Sequence, residues 1–212
     1  VKIWSLSKLY CIGTLEGHSS YITSVCRLSD DSIATTSYDE TVKIWSLKSF
    51  TCELTLEGSL SKIYTVCQMS KDIIITGSSD NKIYVWSLLT KSLVATLEGH
   101  SSAVLSLCKM SENVFLSGSD DNTIKAWDLS TFSCIKTFLN EGRVYTIIQL
   151  SDDTFASGSS DKNVKIWSFS KGTCELTLEG HTSCVRSLCK ISDDVIVSGS
   201  VDESIRVWNL KK

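Results

Sequence analysis

The stretch KIYTVCQMSKDIIITGSSDNKIYVWSLLTKSLVATLE, residues 62–98, decides how the chain is read. It contains four short runs: KIYTVCQM (Lys62–Met69), DIIITGSS (Asp72–Ser79), KIYVWSL (Lys82–Leu88) and SLVATLE (Ser92–Glu98). Each is rich in β-branched or aromatic residues, alternates with a period of two, and is bounded by Ser, Asn, Asp, Gly or Lys. Successive side chains of a strand point to opposite faces, so this alternation predicts four antiparallel strands, here termed a, b, c and d. No segment carries a helical apolar stripe of useful length.

The pattern recurs along the whole chain. Trp4, Trp45, Trp86, Trp127, Trp167 and Trp208 are spaced by 41, 41, 41, 40 and 41 residues. TCELTLEG occurs at Thr51–Gly58 and again at Thr173–Gly180. VKIWSL opens the chain at residues 1–6 and returns unchanged at Val42–Leu47, with a near copy, VKIWSF, at Val164–Phe169. A four-stranded unit repeated about every 41 residues is the signature of a propeller blade.

Composition narrows the function classes. The 212 residues suffice for one domain with a substantial core. A net charge of −3 supplies no global basic field for nucleic acid. No run approaches the roughly 18 apolar residues that span a bilayer, and no signal peptide is visible. Proline is absent, so turns rest on Gly, Asn, Asp and Ser.

The nine cysteines follow the repeat. Cys11, Cys52, Cys134 and Cys174 each lie seven residues after a Trp, and Cys26, Cys67, Cys108 and Cys189 each lie 19 before one. Only Cys184 falls outside both phases. They read as small buried core residues in a reducing, intracellular setting, cytoplasmic or nuclear.

The elements LEGH, SGS-x-D and (V/I)K(I/V)W, repeated in that order, resemble WD40 repeats. The dipeptide that names the family occurs once, as Trp127–Asp128. The resemblance implies an all-β propeller of four-stranded blades in one domain over 1–212. The blades are expected at about 17–57, 58–98, 99–138, 139–179 and 180–210. Counting gives strands a, b and d five times and c six times, 21 in all, with the chain starting and ending on strand c. The last blade lacks a strand d, and the N-terminal d strand at 9–16 is expected to complete it. VKIWSL has no place in such a closed five-bladed ring. In a larger ring, and the family most often has seven blades, it is strand c of an upstream blade. The chain does not begin with Met, so a piece cut from a longer chain is expected.

The histidines look catalytic at first. His18, His100 and His181 are 82 and 81 residues apart, so they occupy one position in three blades and do not converge. An Asp follows each by 21 residues (Asp39, Asp121, Asp202) and precedes a Trp by six (Trp45, Trp127, Trp208); Thr35, Ser117 and Ser198 stand four before each Asp. The resemblance implies that these four positions form a buried structural network. The second blade has Ser59 in place of His and the fourth has Asn140. The pairs Asp30–Asp31, Asp152–Asp153 and Asp193–Asp194 fall at a–b turns, too far apart to share a metal or a proton. SGS at 117–119, 157–159 and 198–200 precedes no helix and is no phosphate loop. No nucleophile–base–orienter set emerges, so no enzyme, metal or cofactor is expected.

Recognition is expected where strand a begins. Ile22, Ile63, Val104, Val144 and Val185 should enter the packing between sheets, so their neighbours face the channel. The resemblance implies that this start of strand a, and the residue before the structural Asp, contact partners. The candidates are Tyr21, Tyr38, Lys62, Tyr64, Asp120, Arg143, Tyr145 and Arg186. Tyr and Arg are frequent interface anchors, and cations beside Tyr suit an acidic or phosphorylated peptide. The expectation is a non-catalytic scaffold binding protein or peptide on the d–a/b–c loop face, with no membrane partner. Two alternatives remain: an excised or engineered propeller with no ligand of its own, and RNA or another phosphate-bearing partner on the Lys/Arg rim, which the net acidic charge disfavours.

Overall fold

A computed structural model describes residues 1–58 and 61–211, and every regular element in it is a strand. An N-terminal hairpin pairs β1 (Lys2–Ser5) with β2 (Tyr10–Thr14). Blade 1 holds β3 (Ile22–Arg27), β4 (Ser32–Ser37), β5 (Val42–Ser46) and β6 (Cys52–Leu56). Blade 2 holds β7 (Ile63–Gln68), β8 (Ile73–Ser78), β9 (Ile83–Ser87) and β10 (Ser92–Leu97). Blade 3 holds β11 (Val104–Lys109), β12 (Val114–Ser119), β13 (Thr123–Asp128) and β14 (Ser133–Leu139). Blade 4 holds β15 (Val144–Gln149), β16 (Thr154–Ser159), β17 (Val164–Ser168) and β18 (Thr173–Leu178). Blade 5 holds β19 (Val185–Ser192), β20 (Val195–Ser200) and β21 (Ile205–Asn209). Ser59, the residue in the histidine position of blade 2, lies outside the described residues.

The core lies between sheets. Ala34, Val42 and Leu56 of blade 1 meet Ile63, Val66 and Trp86 of blade 2, and each later junction repeats the arrangement. A sheet packed on both faces needs apolar or small residues at every position of its inner strands. Hence Ile74 to Ser78 of β8 are all buried, whereas the outer β10 exposes Leu93 and Val94. Register shifts recur after the first residue of each strand a and beside the Trp of each c–d pair. Bulges of this kind raise the local twist.

The glycine of SGS is a packing residue. A Cβ at Gly118 would lie 2.5 Å from Val144 Cγ1, and one at Gly158 would lie 2.7 Å from Val185 Cγ1. Blades are also joined by side chains reaching the preceding blade's carbonyls: Gln149 Nε2 donates to Met110 O at 2.8 Å, and Lys190 Nζ to Leu150 O at 2.6 Å.

Three expectations are corrected. First, β2 does not complete blade 5; it pairs with β1, in the register Trp4↔Cys11 that matches Trp45↔Cys52. A partner one short turn away costs far less loop-closure entropy than one nearly 200 residues away. Blade 5 has three strands, and among the described residues none pairs with the outer edge of β21. Second, Ile63, Val104, Val144 and Val185 are fully buried, but Ile22 is 39% exposed. Each buried residue packs on the inner strands of the preceding sheet, and the hairpin before β3 has only a c and a d strand. Third, none of the nine cysteines is fully buried, and Cys52, Cys134, Cys174 and Cys189 are exposed. The first three lie on outer strands, where a sheet has least cover.

Gly118→Ala should therefore lower stability by about 1–3 kcal/mol, the usual cost of overpacking. Denaturant unfolding measures this, and an unchanged midpoint would show that Val144 yields without cost.

Candidate functional site

The tryptophans anchor the polar chemistry of each blade. Trp45, Trp86, Trp127, Trp167 and Trp208 donate Nε1–H to Thr35, Thr76, Ser117, Ser157 and Ser198 at 2.7–2.9 Å. Trp4 is 58% exposed, and no hydrogen bond joins its indole to the described residues.

In blades 1, 3 and 5 the chain of bonds continues through histidine. Ser117 Oγ accepts from Trp127, so its own proton is free for His100 Nε2 at 2.6 Å. His100 then carries its proton on Nδ1 and donates it to Asp121 Oδ2 at 2.7 Å. His18 with Thr35 and Asp39, and His181 with Ser198 and Asp202, repeat this geometry. A second hydroxyl, on Thr41, Thr123 or Ser204, donates to the other carboxylate oxygen at 2.6–2.7 Å. Burial opposes ionisation of Asp39, yet bonds from Thr41, Ser19 and His18 outweigh it and hold the carboxyl down at about 2. The Ser204 hydroxyl leads the set that holds Asp202 low. Burial pushes His100 below its ordinary value against the pull of Asp121.

Blades 2 and 4 solve the same problem without histidine. Tyr84, two residues before Trp86, donates its hydroxyl to Asp80 Oδ2 at 2.5 Å. Lys165, two before Trp167, is buried with its ammonium 2.9 Å from Asp161 Oδ2 and 2.8 Å from Glu141 Oε2. Burial would lower Lys165, but the two carboxylates outweigh it and raise its pKa. In histidine blades 1 and 3 the same position holds Lys43 and Lys125, which reach outward to Thr55 and Thr137, and in blade 5 it holds Arg206. Asn140 takes the histidine place without its role: Nδ2 donates to Gly142 O, and its buried Oδ1 has no hydrogen-bond partner among the described residues.

The partner-binding candidates gather at the channel mouth. In every blade the residue before the structural Asp donates its backbone N–H to the residue opening strand a: Tyr38 to Tyr21, Ser79 to Lys62, Asp120 to Ala103, Ser160 to Arg143 and Val201 to Cys184, at 2.9–3.0 Å. This bond puts the two sets side by side. Tyr21 meets Tyr38 edge-on at 5.8 Å, and Tyr38 meets Tyr64 at 5.7 Å. The Lys62 ammonium lies 4.9 Å from the Tyr38 ring centre, and the Arg186 guanidinium 3.8 Å from that of Tyr145. Arg143 pairs with Asp120 at 3.7 Å. Burial, then the nearness of Tyr38 and Asp120, raises the Tyr64 pKa. Tyr38, Tyr64, Tyr145 and Arg186, with Thr23 and Leu105, border one cavity of about 250 Å³.

The sequence profile of the family described as WD domain, G-beta repeat, matches residues 9–46, 50–87, 91–128, 132–168 and 172–209. The chain belongs to the WD40 family. No curated protein compared with the chain matches it. Each matched WD40 unit begins on the outer strand of one sheet and ends on strand c of the next, so units and blades are staggered by one strand.

Tyr84 and Lys165 escaped sequence reasoning, though a signal was there. Four residues before Trp, the histidine blades have Thr41, Thr123 and Ser204, whereas the other two have Lys82 and Asn163. A repeat that loses both His and this hydroxyl needs another donor for its Asp, and the position two before Trp is the nearest.

Two outcomes follow. Asp39 is held below its ordinary 3.8, so folding favours its ionised form; that stabilisation is complete above about pH 4 and is lost as pH falls toward 2. Folding likewise favours neutral His100, so stability declines as pH drops below 6.5. His100→Gln should flatten the profile of unfolding free energy as pH falls below 6.5, and an unaltered profile would exclude this linkage. Tyr84→Phe should cost about 1–2 kcal/mol by stripping a donor from Asp80, read as a lower melting temperature against an unchanged strand spectrum.

Proposed function

We propose that this WD40 chain is a non-catalytic scaffold that recognises a protein or peptide at its channel mouth, on the face of the d–a and b–c loops. WD40 propellers typically mediate protein interactions. The observation that carries the reading is a pair of side-chain stacks, Tyr21–Tyr38–Tyr64 on one arc and Tyr145–Arg186 on another, with Tyr38, Tyr64, Tyr145 and Arg186 bordering one cavity. Aromatic and guanidinium groups held in place lose little entropy when a partner covers them. The Tyr38 and Tyr145 faces are already occupied by Lys62 and Arg186, so the mouth presents cations, and an acidic or phosphorylated peptide is the preferred ligand. His18, His100 and His181 are each engaged by their own Asp and hydroxyl, which leaves them poorly placed for acid–base work on a substrate. The proposed setting is intracellular, cytoplasmic or nuclear, in keeping with nine free thiols, of which burial pushes Cys67 up to about 11 and Cys108 up to about 12.

Replacing Arg143 and Tyr145 together by Ala should abolish pull-down of the principal partner while the far-UV strand spectrum stays intact. Unchanged pull-down counts against the mouth as the site. RNA binding that falls steeply with salt and is lost in the same variant would favour a phosphate-backbone partner instead.

A further inference from the structure

The opposite end of the blades, formed by the a–b and c–d turns, carries a feature peculiar to blade 2. Between blades 1 and 2 lies an open cleft of about 350 Å³ with a floor of Leu28, Ile44, Leu54 and Leu88. Lys71, Lys91 and Glu53 stand at its edge.

The repeat supplies its own controls. Where blade 2 has Lys71, the other four blades have Asp30, Glu112, Asp152 and Asp193, so the charge is reversed at this turn alone. Lys91 stands where blades 1 and 3 have Phe50 and Phe132, and all three residues share the same left-handed backbone, with φ of 53–58°. A cleft between blades 2 and 3, of about 490 Å³, is open too, but there Glu112 stands where Lys71 does here; at two other junctions the equivalent space is filled. Between the hairpin and blade 1 the Phe50 ring lies on Gly13, where a Cβ would come within 2.5 Å of it. Between blades 3 and 4 the counterpart of Leu54 is Lys136, whose ammonium reaches across to Phe169 O at 2.6 Å and Ser170 O at 2.9 Å. Blade 2 brings a cation in place of the aromatic plug, and blade 1 brings Leu in place of the bridging lysine.

Turn charges are also left unneutralised here. Lys48 pairs with Asp31, Lys211 with Asp194 and Lys190 with Asp193. In blade 2 the counterpart of Lys48 is Leu89, which is 75% exposed. Among the described residues neither Lys71 nor Lys91 forms an ion pair, and Glu53 pairs with neither. Leu93 and Val94 extend the exposed apolar surface along β10.

We infer that this cleft is a second docking site, for an acidic amphipathic peptide segment of a partner protein. One aliphatic side chain enters between Leu28, Leu54 and Leu88, and flanking carboxylates meet Lys71 and Lys91. Apolar area supplies the affinity, and the two cations, Lys71 where every sister blade has a carboxylate and Lys91 where blades 1 and 3 have Phe, supply the selectivity. The site is independent of the channel mouth, at the other end of the strands.

The test uses the chain itself and fluorescein-labelled ten-residue peptides of Glu and Leu, at extended and at helical spacing. Controls replace every Glu by Lys or every Leu by Ser. Anisotropy should show at least one Glu/Leu peptide binding about tenfold more tightly than both of its controls. Lys71→Asp with Lys91→Phe, which installs residues the sister blades carry, should abolish that preference. Leu54→Lys should do the same by filling the cleft as Lys136 does, while Glu53→Gln should strengthen binding. All variants should keep the parent's strand spectrum, and the Arg143→Ala/Tyr145→Ala variant should bind the peptide unchanged. The inference is overturned if no Glu/Leu peptide outbinds its controls, if binding survives the Lys71/Lys91 double change, or if it is lost in the Arg143/Tyr145 variant. Capture by anionic phospholipid vesicles with no peptide preference would overturn it in favour of a membrane surface.

Discussion

The indole N–H given to a Ser or Thr hydroxyl is the bond on which each blade depends. A buried N–H without a partner costs as much as a lost hydrogen bond, and a buried Trp is otherwise the largest apolar group a sheet can bring to its neighbour. The bond ties strand c to strand b in all five blades. It also gives direction to the rest of the network, because a hydroxyl that accepts from indole has its own proton to pass on. In three blades that proton goes to histidine, and the histidine's to aspartate.

What lies beyond the hydroxyl is negotiable. The carboxylate must be neutralised or solvated, and the chain does this with imidazole, with phenol or with ammonium according to blade. The replacement comes from strand c in both irregular blades, at one position, so the departures are compensated locally and need no reshaping by a partner. The networks hold the loop end of each blade in place, and it is there that the backbone bond from the residue before Asp aligns Tyr38 with Tyr21 and Asp120 with Ala103. The arrangement of rim side chains is thus a by-product of the same bonds that stabilise the blades. Several of its own contacts, such as Tyr38 on Tyr64 and Arg186 on Tyr145, bridge neighbouring blades as well.

Much of this was legible in sequence because a 41-residue period fixes phase. Residues in phase occupy equivalent places, so the wide separation of His18, His100 and His181 already argued against a shared centre. The same reasoning overreached for cysteine. Phase shows that Cys52, Cys134 and Cys174 are equivalent, but not that the equivalent place is covered, and on the outer strands it is not. Ile22 fails for a related reason: equivalence to Ile63 holds along the chain, whereas burial depends on what the preceding sheet offers. Compensation by Tyr84 and Lys165 was written in the residues before Trp, but which way a long side chain turns depends on the space left by its neighbours.

By itself the sequence determined the strand class, the repeat and the list of side chains that face one another inside a blade. These follow from alternation, which acts over a few residues, and from the 41-residue period that repeats it. Only the tertiary structure decided the rest: that β2 pairs with β1 and not β21, that Lys165 turns inward while Lys43 turns outward, and that the cleft between blades 1 and 2 stays open where Phe50 and Lys136 fill two of its counterparts. The first turns on which partner strand lies nearest along the chain, the second on which carboxylates and hydroxyls come within reach of the ammonium, and the third on side-chain volume and charge meeting across a blade junction; alternation along a strand carries none of this.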